Sequence, residues 1–362
     1  MQISFVDERL EDIYSKVLKS SRLSKEDGIR IYETHDLIGL GRIANHVRRL
    51  RHGNKAFYIY NEHLNYTNIC KNRCRFCAYA KDRGEEGAYV FSMEEVEKKM
   101  MMHIHEPIKE LHIVGGLNED LDFDYFINLL KTIKRIRPDS TIKAFTCVEI
   151  DYLSNRAGLS LEETIKRLKD AGLEMMPGGG AEVLNSRIHE TLFPKKIGHE
   201  RWLEIVEAVH KAGIKTNATL LYGHIETIEE RVDHLISLRD VQDKTGGFSA
   251  FIPLAFHSEN TALSHLPPTT AMDDLKNVAA ARLMLDNFEH IKAYWVMIGE
   301  SLAQVALSFG ADDLDGTIME ERITHTAGAK SAKGLTRNKM KDLIIAAGFE
   351  PVERDSFYNP VN

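Results

Sequence analysis

From about residue 56 onward, short apolar or β-branched runs alternate with longer stretches whose apolar residues recur at helical spacing. The strand-like runs fall at 57–64, 111–114, 142–148, 173–176, 216–221 and 248–254. Helical patterns at 93–104, 123–137, 161–171, 200–212 and 227–245 lie between them. Repeated strand–helix units predict an α/β fold with a parallel sheet and right-handed crossovers. Six successive units point to a TIM-type (β/α) barrel, a partial six-stranded core, more than to an open doubly wound sheet. Two later runs, 291–297 and 311–316, extend that core toward eight strands. Residues 6–52 are helical in pattern, with Ser24, Glu26 and Asp27 marking one helix start and a third helix over 38–51. The expected division is an N-terminal helical cap at 1–55, the barrel at 56–334, and a helix and tail at 335–362.

Charge and cysteine usage narrow the picture. The net charge of -7 opposes general nucleic-acid binding, whose footprint is basic. It leaves room for an anionic small molecule in a local pocket. No apolar stretch approaches the roughly 18 residues of a membrane span, and the first twenty residues lack a secretory pattern. The cytoplasm is the expected compartment. Of four cysteines, three crowd into Cys70-Lys-Asn-Arg-Cys74-Arg-Phe-Cys77, directly after the first strand-like run. In a barrel, loops at that end of the strands build the active site. Thiolates suit zinc and iron–sulfur clusters alike. A structural zinc site is normally closed by four protein ligands, and the fourth cysteine, Cys147, lies remote in a strand-like run, where a buried thiol is expected. Three close thiolates would leave one iron of a 4Fe–4S cluster open.

Polar residues recur at the ends of later runs. Gly115 and Gly116 follow the second, where glycine lets backbone approach a ligand. Glu149 ends the third; Pro177-Gly-Gly-Gly-Ala-Glu182 follows the fourth, without the Lys-Ser/Thr of a phosphate loop. His224 and Glu226 follow the fifth, and His257 the sixth. Any one could be a structural cap, but their recurrence at one end describes a polar mouth on an apolar barrel.

The C-x3-C-x2-C loop, with Phe76 before its last cysteine, resembles the signature of the radical S-adenosylmethionine superfamily. Other stretches are similar to one branch, the aminofutalosine synthases of menaquinone biosynthesis. They are His63-Leu-Asn-Tyr-Thr-Asn-Ile-Cys70, His112-Ile-Val-Gly-Gly-Leu117, Lys143-Ala-Phe-Thr-Cys-Val-Glu-Ile150, Pro177-Gly-Gly-Gly-Ala-Glu182, Asn217-Ala-Thr-Leu-Leu-Tyr-Gly-His-Ile-Glu-Thr227, Phe251-Ile-Pro-Leu-Ala-Phe-His257 and Gly310-Ala-Asp-Asp-Leu-Asp-Gly316. The resemblance spans about 61–354. It implies a 4Fe–4S cluster on Cys70, Cys74 and Cys77, and S-adenosylmethionine as a consumed co-substrate. Phe76, Gly115, Gly116, Glu149, Glu182 and Glu226 are then the candidates for holding the co-substrate. One departure is Leu117, where many superfamily members carry an acidic residue.

The implied reaction adds the 5′-deoxyadenosyl group to the enol-ether alkene of 3-[(1-carboxyvinyl)oxy]benzoate. Aryl migration and loss of carboxylate then give 6-amino-6-deoxyfutalosine. A substrate with two carboxylates needs cationic or hydrogen-bonding partners; placement offers His224, His257, Arg282 and Lys143. An electron donor such as flavodoxin or ferredoxin is implied, and a homodimer is compatible. Three alternatives stand beside this reading: the dehypoxanthine futalosine cyclase, a hydrogen-abstracting aryl-transfer enzyme of deazaflavin biosynthesis, and a zinc-stabilised binding protein without catalysis.

Overall fold

The computed structural model describes residues 4–361. Ten strands are formed: β1 (Lys55–Ile59), β2 (Asn61–Leu64), β3 (Glu110–Ile113), β4 (Thr141–Ala144), β5 (Met175–Met176), β6 (Lys215–Tyr222), β7 (Phe248–Ala255), β8 (His290–Ile291), β9 (Asp313–Gly316) and β10 (Glu350–Arg354). Strands β2 to β8 form one parallel sheet in sequential order, with helices on its outer face, and β10, β1 and β9 form a second. Backbone hydrogen bonds join the two sheets. Ala293 donates to Asp313 (2.7 Å), Asp312 to Ile291 (3.0 Å) and His63 to Met319 (2.9 Å). The chain of β1 and β2, interrupted at Tyr60, therefore meets β9 on one side and β3 on the other. The sheet curls into the (β/α) barrel that the strand–helix rhythm predicts.

Local sequence sets the helix starts. Ser24 with Asp27, Ser92 with Glu95, Thr146 with Glu149 and Thr227 with Glu230 each form a reciprocal capping box, satisfying two otherwise orphaned backbone donors. One of these corrects the strand expected at 142–148. β4 stops at Ala144, and the helix Cys147–Ala157 begins behind the Thr146 cap, so Cys147 and Glu149 are helical. The run at 291–297 is likewise a two-residue strand followed by the short helix Trp295–Ile298.

The N-terminal helices Arg9–Leu18, Lys25–Glu33 and Leu37–His52 pack outside the barrel. Tyr32 Oη donates to Asn277 (3.0 Å), and Arg239 donates to the carbonyls of Leu23 (2.9 Å) and Met284 (3.1 Å). The tail contributes β10, which pairs in parallel with β1. Among the described residues, no helix is long and apolar enough to cross a membrane.

Candidate functional site

A cavity of about 370 Å³ opens at the C-terminal ends of the strands. Its walls include all three clustered cysteines, Phe76, Gly115, Gly116, Glu149, Glu182, Lys143 and His257. The cysteine loop is pinned by backbone bonds that do not use the thiols. Cys70 N donates to Lys81 O (3.1 Å), Lys71 N to Leu117 O (3.1 Å) and Arg75 N to Leu192 O (2.9 Å). Gly116 is needed for this close packing: a Cβ there would stand 2.2 Å from Ile69 O and 2.9 Å from Cys70 Cβ. Gly178 serves similarly, since its Cβ would strike the Asn217 carbonyl at 2.6 Å. No helix follows the loop directly; irregular chain runs on to the helix Met93–Met102.

The donor set fits an iron–sulfur cluster. Burial pushes the Cys74 thiol up to about 12, with Cys77 and Cys70 adding to the effect. Cys77 is raised as well, again chiefly by burial. Three thiolates gathered at one wall repel one another and need a cationic partner there. No fourth cysteine borders the cavity among the described residues, so one iron would remain for a non-protein ligand. The buried Asn72 Oδ1 and Asn217 Oδ1 border the same space without hydrogen-bond partners. These are acceptor groups that a bound polar molecule can satisfy.

Around the thiols, Phe76 packs edge-on to Phe193 at 5.8 Å, and Lys196 Nζ lies 5.6 Å from the Phe76 ring centre. Lys196 pairs with Glu182. Burial works against its charge, but Glu182 and the Cys74 thiol outweigh this and raise its pKa. Glu149 accepts from Tyr66 Oη (2.8 Å), Thr146 N (2.7 Å) and Gly115 N (3.2 Å). Burial nonetheless raises its carboxyl above the ordinary value. Lys143 is tied to Glu110 (2.9 Å), and His257 Nε2 lies 2.9 Å from Met297 O.

Three sequence candidates lie elsewhere. Arg282 is buried at the opposite end of the barrel, bonded to Asp312 and to the carbonyls of Gly310 (2.8 Å) and Glu289 (3.0 Å). Its helix Ala271–Met284 turns that residue inward to hold the chain before β8 and β9. His224 and Glu226 pair with each other (2.9 Å), and Glu226 also pairs with Arg231 (2.7 Å); neither borders the cavity. Both lie in the turn after β6, folded back toward the helix Ile228–Thr245. The sequence reasoning also passed over groups that do border it: His63, His112, Asn72, Lys196, Asn217, Tyr294, Asp315 and Glu321. No signal in the linear sequence singles out His63 and His112, which fall in separate runs and are set side by side by the parallel register of β2 and β3.

The comparisons agree with this geometry. The radical SAM superfamily model matches residues 64–238, and the CofH/MqnC C-terminal region matches 245–362. The aminodeoxyfutalosine synthase of Thermus thermophilus is 45% identical over 98% of this chain and 96% of its own. That of Streptomyces coelicolor is 39% identical over 96% and 92%. A 5-amino-6-(D-ribitylamino)uracil–L-tyrosine 4-hydroxyphenyl transferase of Archaeoglobus fulgidus is 37% identical over 88% and 92%. Among solved structures, methylornithine synthase superposes with a TM-score of 0.73 at 18% identity, covering 94% of this chain and 97% of that one, a likeness of fold. With full-length identity at this level and a C-x3-C-x2-C loop opening on the barrel cavity, the chain belongs to the aminodeoxyfutalosine synthase family of radical S-adenosylmethionine enzymes.

Proposed function

We propose that the chain joins the 5′-deoxyadenosyl group of S-adenosylmethionine to the alkene of 3-[(1-carboxyvinyl)oxy]benzoate. The product is 6-amino-6-deoxyfutalosine, an intermediate of menaquinone biosynthesis. The observation that carries this is the full-length 45% identity to the Thermus synthase, in a chain whose three clustered thiols border one deep cavity. Cys70, Cys74 and Cys77 would hold the 4Fe–4S cluster, which with S-adenosylmethionine supplies a primary carbon radical.

The protein's part is to hold and to shield. Leu221, Ile252, Leu254 and Phe256 give the cavity an apolar wall, which keeps water and stray hydrogen donors from a reactive carbon. Holding the alkene close to that carbon replaces a bimolecular encounter by a positioned one. Asn72, Asn217, Glu149 and Glu182 are the polar groups available to orient the co-substrate.

An acidic flavodoxin or ferredoxin is the proposed electron donor. The side chains of Lys71 and Arg73, in the cysteine loop itself, are 43% and 41% exposed but paired with Glu119 (3.4 Å) and Asp82 (3.7 Å), so what supports this donor is the likeness to radical S-adenosylmethionine enzymes and not a basic surface. The cytoplasm, where thiols stay reduced, is the proposed compartment.

The test is made on anaerobically reconstituted, reduced protein with S-adenosylmethionine and 3-[(1-carboxyvinyl)oxy]benzoate, followed by mass spectrometry. The expected result is aminodeoxyfutalosine together with methionine. Release of 5′-deoxyadenosine without an adduct would overturn the assignment and favour hydrogen abstraction.

A further inference from the structure

His63, His112 and Lys143 stand on three adjacent strands at one level of the barrel. In the parallel register His63 pairs with His112, and His112 with Lys143, so the three side chains share a face. All three border the cavity. The two imidazoles stack at 4.4 Å with 12° between their planes.

Histidines with buried side chains elsewhere have at least one ring nitrogen engaged by the protein: His210 with Thr245 and Thr216, His234 with Leu184 and Thr219, His290 with Asp312, and His224 through Nδ1 with Ile225 N, its Nε2 being without a partner. Among the described residues, no hydrogen bond engages a ring nitrogen of His63 or His112. Two polar rings that face a cavity without protein partners point to a ligand group.

Charge says which kind of group. The acids near the pair are already committed: Glu110 to Lys143 (2.9 Å), Asp315 to Lys292 (3.0 Å) and Glu321 to His325 (2.6 Å). Burial keeps both imidazoles below their ordinary pKa; His63 and Lys143 lower His112 further, while Glu321, Asp315 and Glu110 only partly offset the effect of burial on His63. An anion arriving at the pair reverses that balance, so one ring takes up a proton and donates a charge-assisted hydrogen bond.

Depth says which end of the ligand. His112 precedes Gly115 by three residues, about 10 Å along a strand, and Gly116 is where the cysteine loop packs. The pair therefore lies well below the thiols.

We propose that His63 and His112 are the seat of an aryl carboxylate, the end of the substrate remote from the reacting alkene. This rests on the function proposed above and assigns it two binding residues. The same pair would discriminate against a phenol or an amide at that ring position, neither of which offers a full negative charge.

The test uses oxidised holoenzyme with S-adenosylmethionine and no reductant, so that nothing turns over. Binding of 3-[(1-carboxyvinyl)oxy]benzoate is followed calorimetrically in two buffers of different ionisation enthalpy. The expected result is proton uptake on binding. The analogue with a ring carboxamide should bind the native protein roughly tenfold more weakly or worse. In His63→Gln and His112→Gln the acid should bind about as weakly as the carboxamide, without proton uptake. Binding of the acid with no proton uptake, equal affinity for acid and carboxamide, or uptake that persists in both variants would overturn the seat while the proposed function stands. Failure of the native protein to bind the acid at all would remove both. The comparison of acid with carboxamide needs only native protein, so a variant that fails to fold leaves the test intact.

Discussion

Glu62, one residue before His63, shows how much a single buried carboxyl can matter. It is 2% exposed and its Oε2 has no hydrogen-bond partner. Burial, reinforced by Glu320, pushes its pKa from 4.5 up to about 7. The folded chain thus binds this proton more tightly than the unfolded chain does. Its stabilising effect is complete below about pH 4.5 and is lost as pH rises through about 7. Glu62→Gln should therefore stabilise the protein at pH 8 by roughly 1–3 kcal/mol. The gain should shrink to half or less near pH 5.5. Urea midpoints at the two pH values check this, and an equal gain at both would exclude titration as the cause. Arg282 teaches the converse. A cation in a helix pattern is a fair candidate for a dicarboxylate, yet this one is fully buried against Asp312. The position of Arg282 in the last turn of its helix was the overlooked signal, because in a strand–helix–strand unit that turn lies beside the start of the next strand, away from the active-site loops.

At the scale of elements, hydrophobic rhythm made most of the barrel legible, because inward-facing β-branched runs and amphipathic helices leave different periods. It failed where capping chemistry overrides apolar content. The run at 142–148 is apolar enough for a strand, but Thr146 and Glu149 form a capping box and start a helix inside it. That Thr-x-x-Glu signal was present in the sequence. The tail was less legible, since the alternation in Glu350–Arg354 is mostly polar. Its strand is anchored by charge: Arg354, 1% exposed, pairs with Asp313 (2.6 Å) on β9, and its guanidinium lies over Tyr358. Arg354→Met would strand the Asp313 carboxylate in the interior, at a cost of about 3–5 kcal/mol. Adding Asp313→Asn should recover part of that loss. Chemical denaturation of the two variants measures it, and a near-zero cost for Arg354→Met would mean that β10 is held by backbone pairing alone. The cysteine loop was legible for a different reason. Three thiols within eight residues are informative at any secondary structure, whereas His63 and His112 gain meaning only once parallel register sets them side by side.

For the whole molecule, the cavity links metal binding to folding. Burial raises the Cys74 thiol to about 12 and raises Cys77 as well, so without a metal these two sulfurs stay neutral and gain nothing from charge. A cluster that binds only the folded loop must stabilise the fold by mass action, and S-adenosylmethionine bound to that cluster must add to it. At a hundredfold excess over its dissociation constant the co-substrate contributes about 2.7 kcal/mol. The reconstituted protein should therefore melt above the cluster-free chain, and S-adenosylmethionine should raise the melting temperature again. In Cys74→Ala the backbone bonds that pin the loop (Cys70 N to Lys81 O, Arg75 N to Leu192 O) are untouched, so far-UV circular dichroism should match the parent. That variant should lack the visible absorbance of the cluster, show no turnover, and melt at the same temperature with or without S-adenosylmethionine. A Cys74→Ala protein that keeps full activity, or that is stabilised by the co-substrate as much as its parent, would separate the three-cysteine loop from the chemistry of the cavity.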